Sequence, residues 1–184
     1  MSNLVAPAGG SPTFEALPRF PGRYRPTQSS IGEPPGDNEE LTAGSRQFWA
    51  SKPARLPRVL TGVRVLVVDD DEDTTQLFAT ALAACGAEVA TATSASEALR
   101  VLAAQVPDVV VSDIAMPGDD GYWLVREIRR LDDARARTVP VPAVTAFGRE
   151  HFRARVLAAG FVDHLEKPVD PEALCLAVAR AKRR

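Results

Sequence analysis

From Val63 onward the chain alternates between two textures. Short aliphatic and β-branched runs (VRVLVV, AEVATA, VPDVVVSD, VPAVTA and FVDHL) are separated by longer stretches whose apolar residues recur at helical spacing. Near-continuous apolar runs of that length predict strands buried on both faces of a parallel sheet. Between the first two runs, a helix predicted over Thr74–Cys85 sets Leu77, Phe78, Ala81, Leu82 and Cys85 on one face, with Gly86 placed for a left-handed cap. Ser94 and Glu97 have capping-box spacing ahead of Ala98, Leu99 and Leu102. Further helices are expected from about Tyr122 to Leu131, from Arg149 to Ala159 before Gly160, and from the Asp170–Pro171 cap pair to near Arg180. MPGDDG reads as a loop and DDARARTVP as a polar connector. Five consecutive βα units specify an α/β, doubly wound domain with a parallel sheet and right-handed crossovers.

Residues 1–60 break this rhythm. They hold nine of the fifteen prolines and six of the twelve glycines, and their apolar residues are scattered singly. Such a segment buries too little surface to offset its conformational entropy, so a disordered Pro/Gly-rich N-terminal extension is expected over 1–60 and a folded domain over 61–184. Within the extension Glu39–Ser51 is the one candidate for a transient helix, carrying Phe48 and Trp49.

Charge changes the picture only by exclusion. A net charge of −2 over 184 residues offers no bulk electrostatic case for nucleic-acid or membrane binding. No apolar run approaches the roughly 20 residues of a bilayer span, and the first residues lack the basic and apolar regions of a signal peptide. The two cysteines, Cys85 and Cys175, fall in helical patterns and read as reduced, small apolar residues, with a cytoplasmic location as the default.

The candidate chemistry lies where the strands end. VRVLVV runs out onto Asp69 and Asp70, VVVS onto Asp113, VPAV onto Thr145, and FVDHLE onto Lys167. In an open parallel sheet the reactive groups gather at these carboxyl ends. Three carboxylates brought together repel, and a hard divalent cation such as Mg²⁺ relieves that repulsion. The bland alternative for the acidic run DDDED is a helix N-cap. Asp113 closes a buried strand and is suited to act as a nucleophile forming an acyl phosphate, with Lys167 and Thr145 supplying a positive charge and a hydroxyl donor.

VLVVDDD, VVVSDIAMPGDDGYWLVREIR, VPAVTA and AAGFVDHLEKPVDPEAL together resemble the receiver domain of two-component response regulators over 63–181. The wording around GFVDHLEKPVD is similar to receivers at the C-terminal ends of hybrid histidine kinases. The resemblance implies a flavodoxin-like (βα)5 fold with a five-stranded sheet. It implies that Asp113 is phosphorylated by a partner histidine kinase or histidine phosphotransfer protein. Asp70 would bind Mg²⁺ directly, Asp69 largely through water, and Asp113 and the Ala115 carbonyl would complete the protein ligands. Thr145 would contact the phosphoryl group and Lys167 the phosphorylated carboxylate. The Lys167–Pro168 bond resembles one that is often cis. His164 stands where the family usually has an aromatic switch residue, and histidine is smaller and titrates near neutrality.

The expected role is a stand-alone response regulator: a signalling domain, capable only of self-catalysed phosphotransfer and slow autodephosphorylation, that acts on a downstream protein target without direct nucleic-acid contact or membrane insertion. A phosphate sink or relay intermediate, and a pseudo-receiver used only for binding, are the alternatives. A haloacid-dehalogenase-type phosphatase shares the D-x-D-x-T pattern at Asp71, Asp73 and Thr75, but its later acidic motif should follow the lysine, whereas Gly118-Asp119-Asp120 precedes Lys167.

Overall fold

The computed structural model describes residues 58–146 and 150–183, without the side chains of 150–152. The extension before residue 58, including the Glu39–Ser51 candidate, lies outside the described residues. So do Phe147, Gly148 and Arg149, where the helix after the fourth strand is predicted to begin.

Five strands, β1 (Arg64–Val68), β2 (Glu88–Ala92), β3 (Val109–Asp113), β4 (Pro142–Thr145) and β5 (Asp163–Glu166), form one sheet in the order β2-β1-β3-β4-β5. All neighbours are parallel. Alternation of side chains along each strand divides the core in two. Val65, Val67, Val109 and Val111 face a layer made by α1 (Glu72–Ala84) and α6 (Pro171–Lys182), packing on Phe78, Leu82, Leu174 and Val178. Leu66, Val68 and Val110 face the opposite layer. There α2 (Ala95–Ala104), α3 (Gly121–Ile128), α4 (Ala134–Arg137) and α5 (Glu150–Ala158) contribute Leu102, Leu124, Ile128, Ala136 and Val156. Leu66 and Leu124 are fully buried; truncating either to alanine removes about 2–5 kcal/mol of stability.

The helix ends follow local chemistry. Asp71, in extended conformation, accepts from the Asp73 and Thr74 N–H groups and starts α1 two residues before the predicted Thr74. At the far end Gly86 has φ of +98°, and a Cβ there would also stand 3.0 Å from the Thr61 hydroxyl. Only glycine fits that turn without strain. Ser94 caps α2 by accepting from the Glu97 N–H at 3.2 Å. Glu97 reaches back one residue further than in a capping box, to the Thr93 N–H at 2.8 Å.

Three expectations are corrected. The polar connector DDARARTVP contains α4, capped by Asp133, because Ala136 turns into the core and is 2% exposed. Leu60, which the sequence boundary puts in the extension, is completely buried, and its N–H donates to the Cys85 carbonyl at 3.0 Å. Cys85 and Cys175 are not reduced thiols: the α1–α6 contact brings their Cα atoms to 6.5 Å and they form a disulfide.

Candidate functional site

The register of the sheet assembles the strand ends. Val68 pairs with Ser112, so Asp69, the next residue, stands level with Asp113. Asp113 pairs with Val144, which puts Thr145 one step beyond it, and Thr145 pairs with Glu166, which is followed by Lys167. The Lys167 N–H donates to the Thr145 carbonyl at 2.8 Å, tying the last two together. Residues from four segments thus meet at one crevice, the place where open parallel sheets bind their ligands.

Asp113 is restrained from two sides. Its Oδ1 accepts the Ile114 N–H at 2.7 Å and the Ala115 N–H at 3.4 Å. Its Oδ2 lies 3.1 Å from the Lys167 ammonium, which also holds Asp69 Oδ2 at 2.7 Å. Asp69 Oδ1 accepts the Asp71 N–H at 3.1 Å. One ammonium therefore serves two buried carboxylates, and Asp70 stands exposed beside them. Carboxylate oxygens of Asp69, Asp70 and Asp113 lie within 4.8 Å of one another.

The electrostatics follow from burial. Loss of water pushes the Asp69 carboxyl above its ordinary value, against the lowering pull of the Lys167 hydrogen bond. Burial alone would lower the Lys167 ammonium, but its hydrogen bond to Asp69 and the charges of Asp69 and Asp113 outweigh it and hold it above its ordinary value. Among the described residues, three carboxylates stand against one ammonium, a surplus of two negative charges. Oxygen-rich, anionic and partly open, the cluster has the donor set a small hard cation takes.

All of Asp69, Asp70, Asp113, Thr145 and Lys167 come together as the sequence predicts, and Ala115 lies in the turn that follows Asp113. Thr145 is completely buried. The Lys167–Pro168 peptide is cis. Asp71 takes the helix-capping role that the acidic run suggested, so neither Asp69 nor Asp70 is consumed by it. His164 sits on β5 opposite Ala143, half-buried, with its N–H donating to Asp163 Oδ1 at 2.9 Å.

Gly121 is a site residue that sequence reasoning left as a loop glycine. Its N–H donates to the Ile114 carbonyl at 3.0 Å. A Cβ at that position would collide with the Asp113 carbonyl and stand 2.9 Å from Ile114 Cα. With no side chain, the first turn of α3 can press against the backbone that carries Asp113. The only signal was a glycine directly after the capping Asp120, which accepts the Trp123 N–H at 2.7 Å.

A five-stranded parallel sheet in the order β2-β1-β3-β4-β5, with an acidic crevice at its carboxyl edge, is a doubly wound domain whose reactive groups gather at the strand ends. Residues 65–179 match the family model described as the response regulator receiver domain. The chain belongs to that family. It is 44% identical over 114 residues to an uncharacterised 14.6 kDa protein of Leptolyngbya boryana, covering 62% of this chain and 86% of that one. It is 38% identical over 107 residues to the response regulator PleD of Caulobacter vibrioides, where the match covers 58% of this chain but only 23% of PleD. Among solved structures, the receiver domain of the Francisella response regulator 1452 superposes with a TM-score of 0.61 at 29% identity, covering 66% of this chain and 98% of that domain. Among the described residues no helix is long and apolar enough to cross a membrane.

Proposed function

We propose that the chain is a stand-alone response regulator whose Asp113 accepts a phosphoryl group from a histidine kinase or a histidine phosphotransfer protein. The observation that carries this reading is the two-sided hold on Asp113, backbone N–H groups on one oxygen and Lys167 on the other. A carboxylate so oriented presents a fixed nucleophile, which removes orientational freedom from the reaction. An Asp113 oxygen attacks phosphorus, the bond from phosphorus to the donor nitrogen breaks, and the donor histidine keeps the electron pair. The product is an acyl phosphate. Lys167 stays paired with the charge that this leaves, and the Thr145 hydroxyl donates to a phosphoryl oxygen.

Asp69, Asp70 and Asp113, with the Ala115 carbonyl, would hold Mg²⁺, and the surplus of negative charge at the crevice fits that ion. When bound it neutralises charge on the transferring phosphoryl oxygens. The folded receiver begins by Leu60, whose buried side chain already belongs to the core, and runs through α6. Output is a contact with a downstream protein, through the face built on β4 and β5, when phosphorylation shifts the balance between two states. The match to 86% of a 14.6 kDa relative supports a receiver acting without an attached output domain. The cytoplasm, where kinases hold their phosphorylated histidines, is the location this role requires.

Intact-mass measurement after incubation with acetyl phosphate tests the reading. Wild type gains one phosphoryl mass only with Mg²⁺, and Asp113→Asn gains none. An adduct that survives in Asp113→Asn places the nucleophile elsewhere. Absence of any adduct in wild type leaves a pseudo-receiver. A phosphoryl lifetime that collapses on adding a second histidine phosphotransfer protein would make the chain a relay instead.

A further inference from the structure

Cys85 and Cys175 are the chain's only cysteines, and they are joined across a sequence separation of 90. Both have no exposed surface. Cys85 is the C-cap of α1 and Cys175 lies within α6, so the bond runs inside the layer those helices form, among Leu82, Leu174 and Val178. These are the helices that leave the carboxyl ends of β1 and β5. Asp71 caps one directly after Asp69 and Asp70, and Asp170 caps the other three residues after Lys167. The two segments are tied twice, by Lys167 on Asp69 at 2.7 Å and by a covalent bond in the core.

Burial controls the chemistry of such a bond. Thiol–disulfide exchange requires a thiolate to reach a sulfur atom, and reactive cysteines are accessible ones. Neither sulfur is reachable while α1 lies on α6. The same packing shields a reduced pair from oxidants. Exchange in either direction therefore waits for the two helices to part. Closing a loop of this length restricts the unfolded chain enough to favour folding by a factor on the order of 10³.

We propose that Cys85–Cys175 is a redox latch on the α1–α6 layer, set while the layer is open and retained while it is closed. Setting it is a two-electron oxidation by a low-molecular-weight disulfide. One thiolate attacks that disulfide and releases one small thiol; the second thiolate then attacks the mixed disulfide, forms the protein S–S bond and releases the other. Two protein protons end on the two small thiols. An excess of small thiol runs the same steps backwards. Oxidised and reduced chains are then two long-lived populations with the same fold and different resistance to opening, whether or not Asp113 is phosphorylated.

The full chain, refolded with oxidised glutathione and alkylated with iodoacetamide in guanidinium, takes up no label by intact mass. Under dithiothreitol the native protein is reduced at least 100-fold more slowly than the guanidinium-unfolded chain, and sub-denaturing urea speeds the reaction. The reduced wild type unfolds at lower urea than the oxidised one. A Cys85→Ala, Cys175→Ala double variant unfolds at the same urea concentration with and without dithiothreitol. Should that variant not fold, the oxidised and reduced wild type carry the comparison alone. Two labels per chain after oxidative refolding, equal reduction rates for native and unfolded chain, or coincident urea midpoints for the two redox forms would each overturn the latch.

Discussion

Strand β3 starts beside one aspartate and ends on another, and their electrical surroundings are opposite. Asp108, just before the strand, accepts the Arg64 N–H at 2.9 Å and gathers the side chains of Arg64, Arg135 and Lys182 between 3.5 and 3.9 Å. One carboxylate there serves three cations, at the protein surface. At the other end Asp113 and Asp69 share a single ammonium inside the protein. The amino end joins the start of β1, α4 and the last turn of α6, and its charges are balanced by water as well as by each other. The carboxyl end is short of positive charge by construction. That shortage leaves the crevice able to respond to an added cation, while the amino end is already satisfied.

Removing Lys167 tests the contrast most severely. Lys167→Ala takes away the one cation that the described residues bring to the site, and phosphoryl uptake by Asp113 from acetyl phosphate should fall about 100-fold, the usual scale for losing one charge-stabilising group. Single-turnover rates measured by mass would show it; an unchanged rate would mean that the ammonium is dispensable. Gly121→Ala attacks the same end through the backbone. The added methyl group must displace the Asp113 carbonyl, and overpacking of that kind costs about 1–3 kcal/mol. A lowered urea midpoint together with slowed phosphorylation is expected, and retention of both would show that the backbone yields freely.

Acidity separates the ends without altering the fold. Because the Asp69 carboxyl is raised above its ordinary 3.8 in the folded state, its protonation favours folding. That contribution is complete below 3.8, and it is lost as pH rises through the raised folded value. In metal-free buffer the stability of wild type should therefore fall relative to Asp69→Asn as pH climbs across that window. Parallel unfolding curves for the two proteins would argue against the charge shortage. The smallest effect belongs to the amino end. Asp108→Ala gives up one backbone hydrogen bond and three exposed ion pairs, a loss of about 1 kcal/mol. Its phosphorylation rate should stay at the wild-type level.

The strands and the crevice were legible because each signal was local and the sheet did the rest. Apolar runs announced the strands, and the residue ending each run announced the chemistry; parallel order then brought residues as distant as Asp69 and Lys167 to 2.7 Å. What stayed hidden depended on contacts with no local mark. The helical pattern identified Cys85 and Cys175 as core residues but not as partners, because that depends on how α1 and α6 pack. Helix α4 spans only Ala134–Arg137, too short for a period to show. Its order comes from Ala136 in the core, from Arg135 on Asp108, and from Arg129. The Arg129 guanidinium, lowered by burial, donates to the carbonyls of Arg137, Val139 and Gly160 at 2.9–3.1 Å. An arginine paired with carbonyls rather than acids leaves no charge pattern to read.

The three aspartates after β1 act as a counting device. The third caps α1, which leaves the first two to face the crevice. Each added residue in a helix turns the chain by about 100°. Inserting or deleting one residue between Val68 and Glu72 would therefore hand the cap to a different carboxylate and rotate α1 against the sheet. Helix and site would fail together, although neither had lost a side chain. The length of this connector is thus held by two independent demands, and single-residue insertions should be absent here.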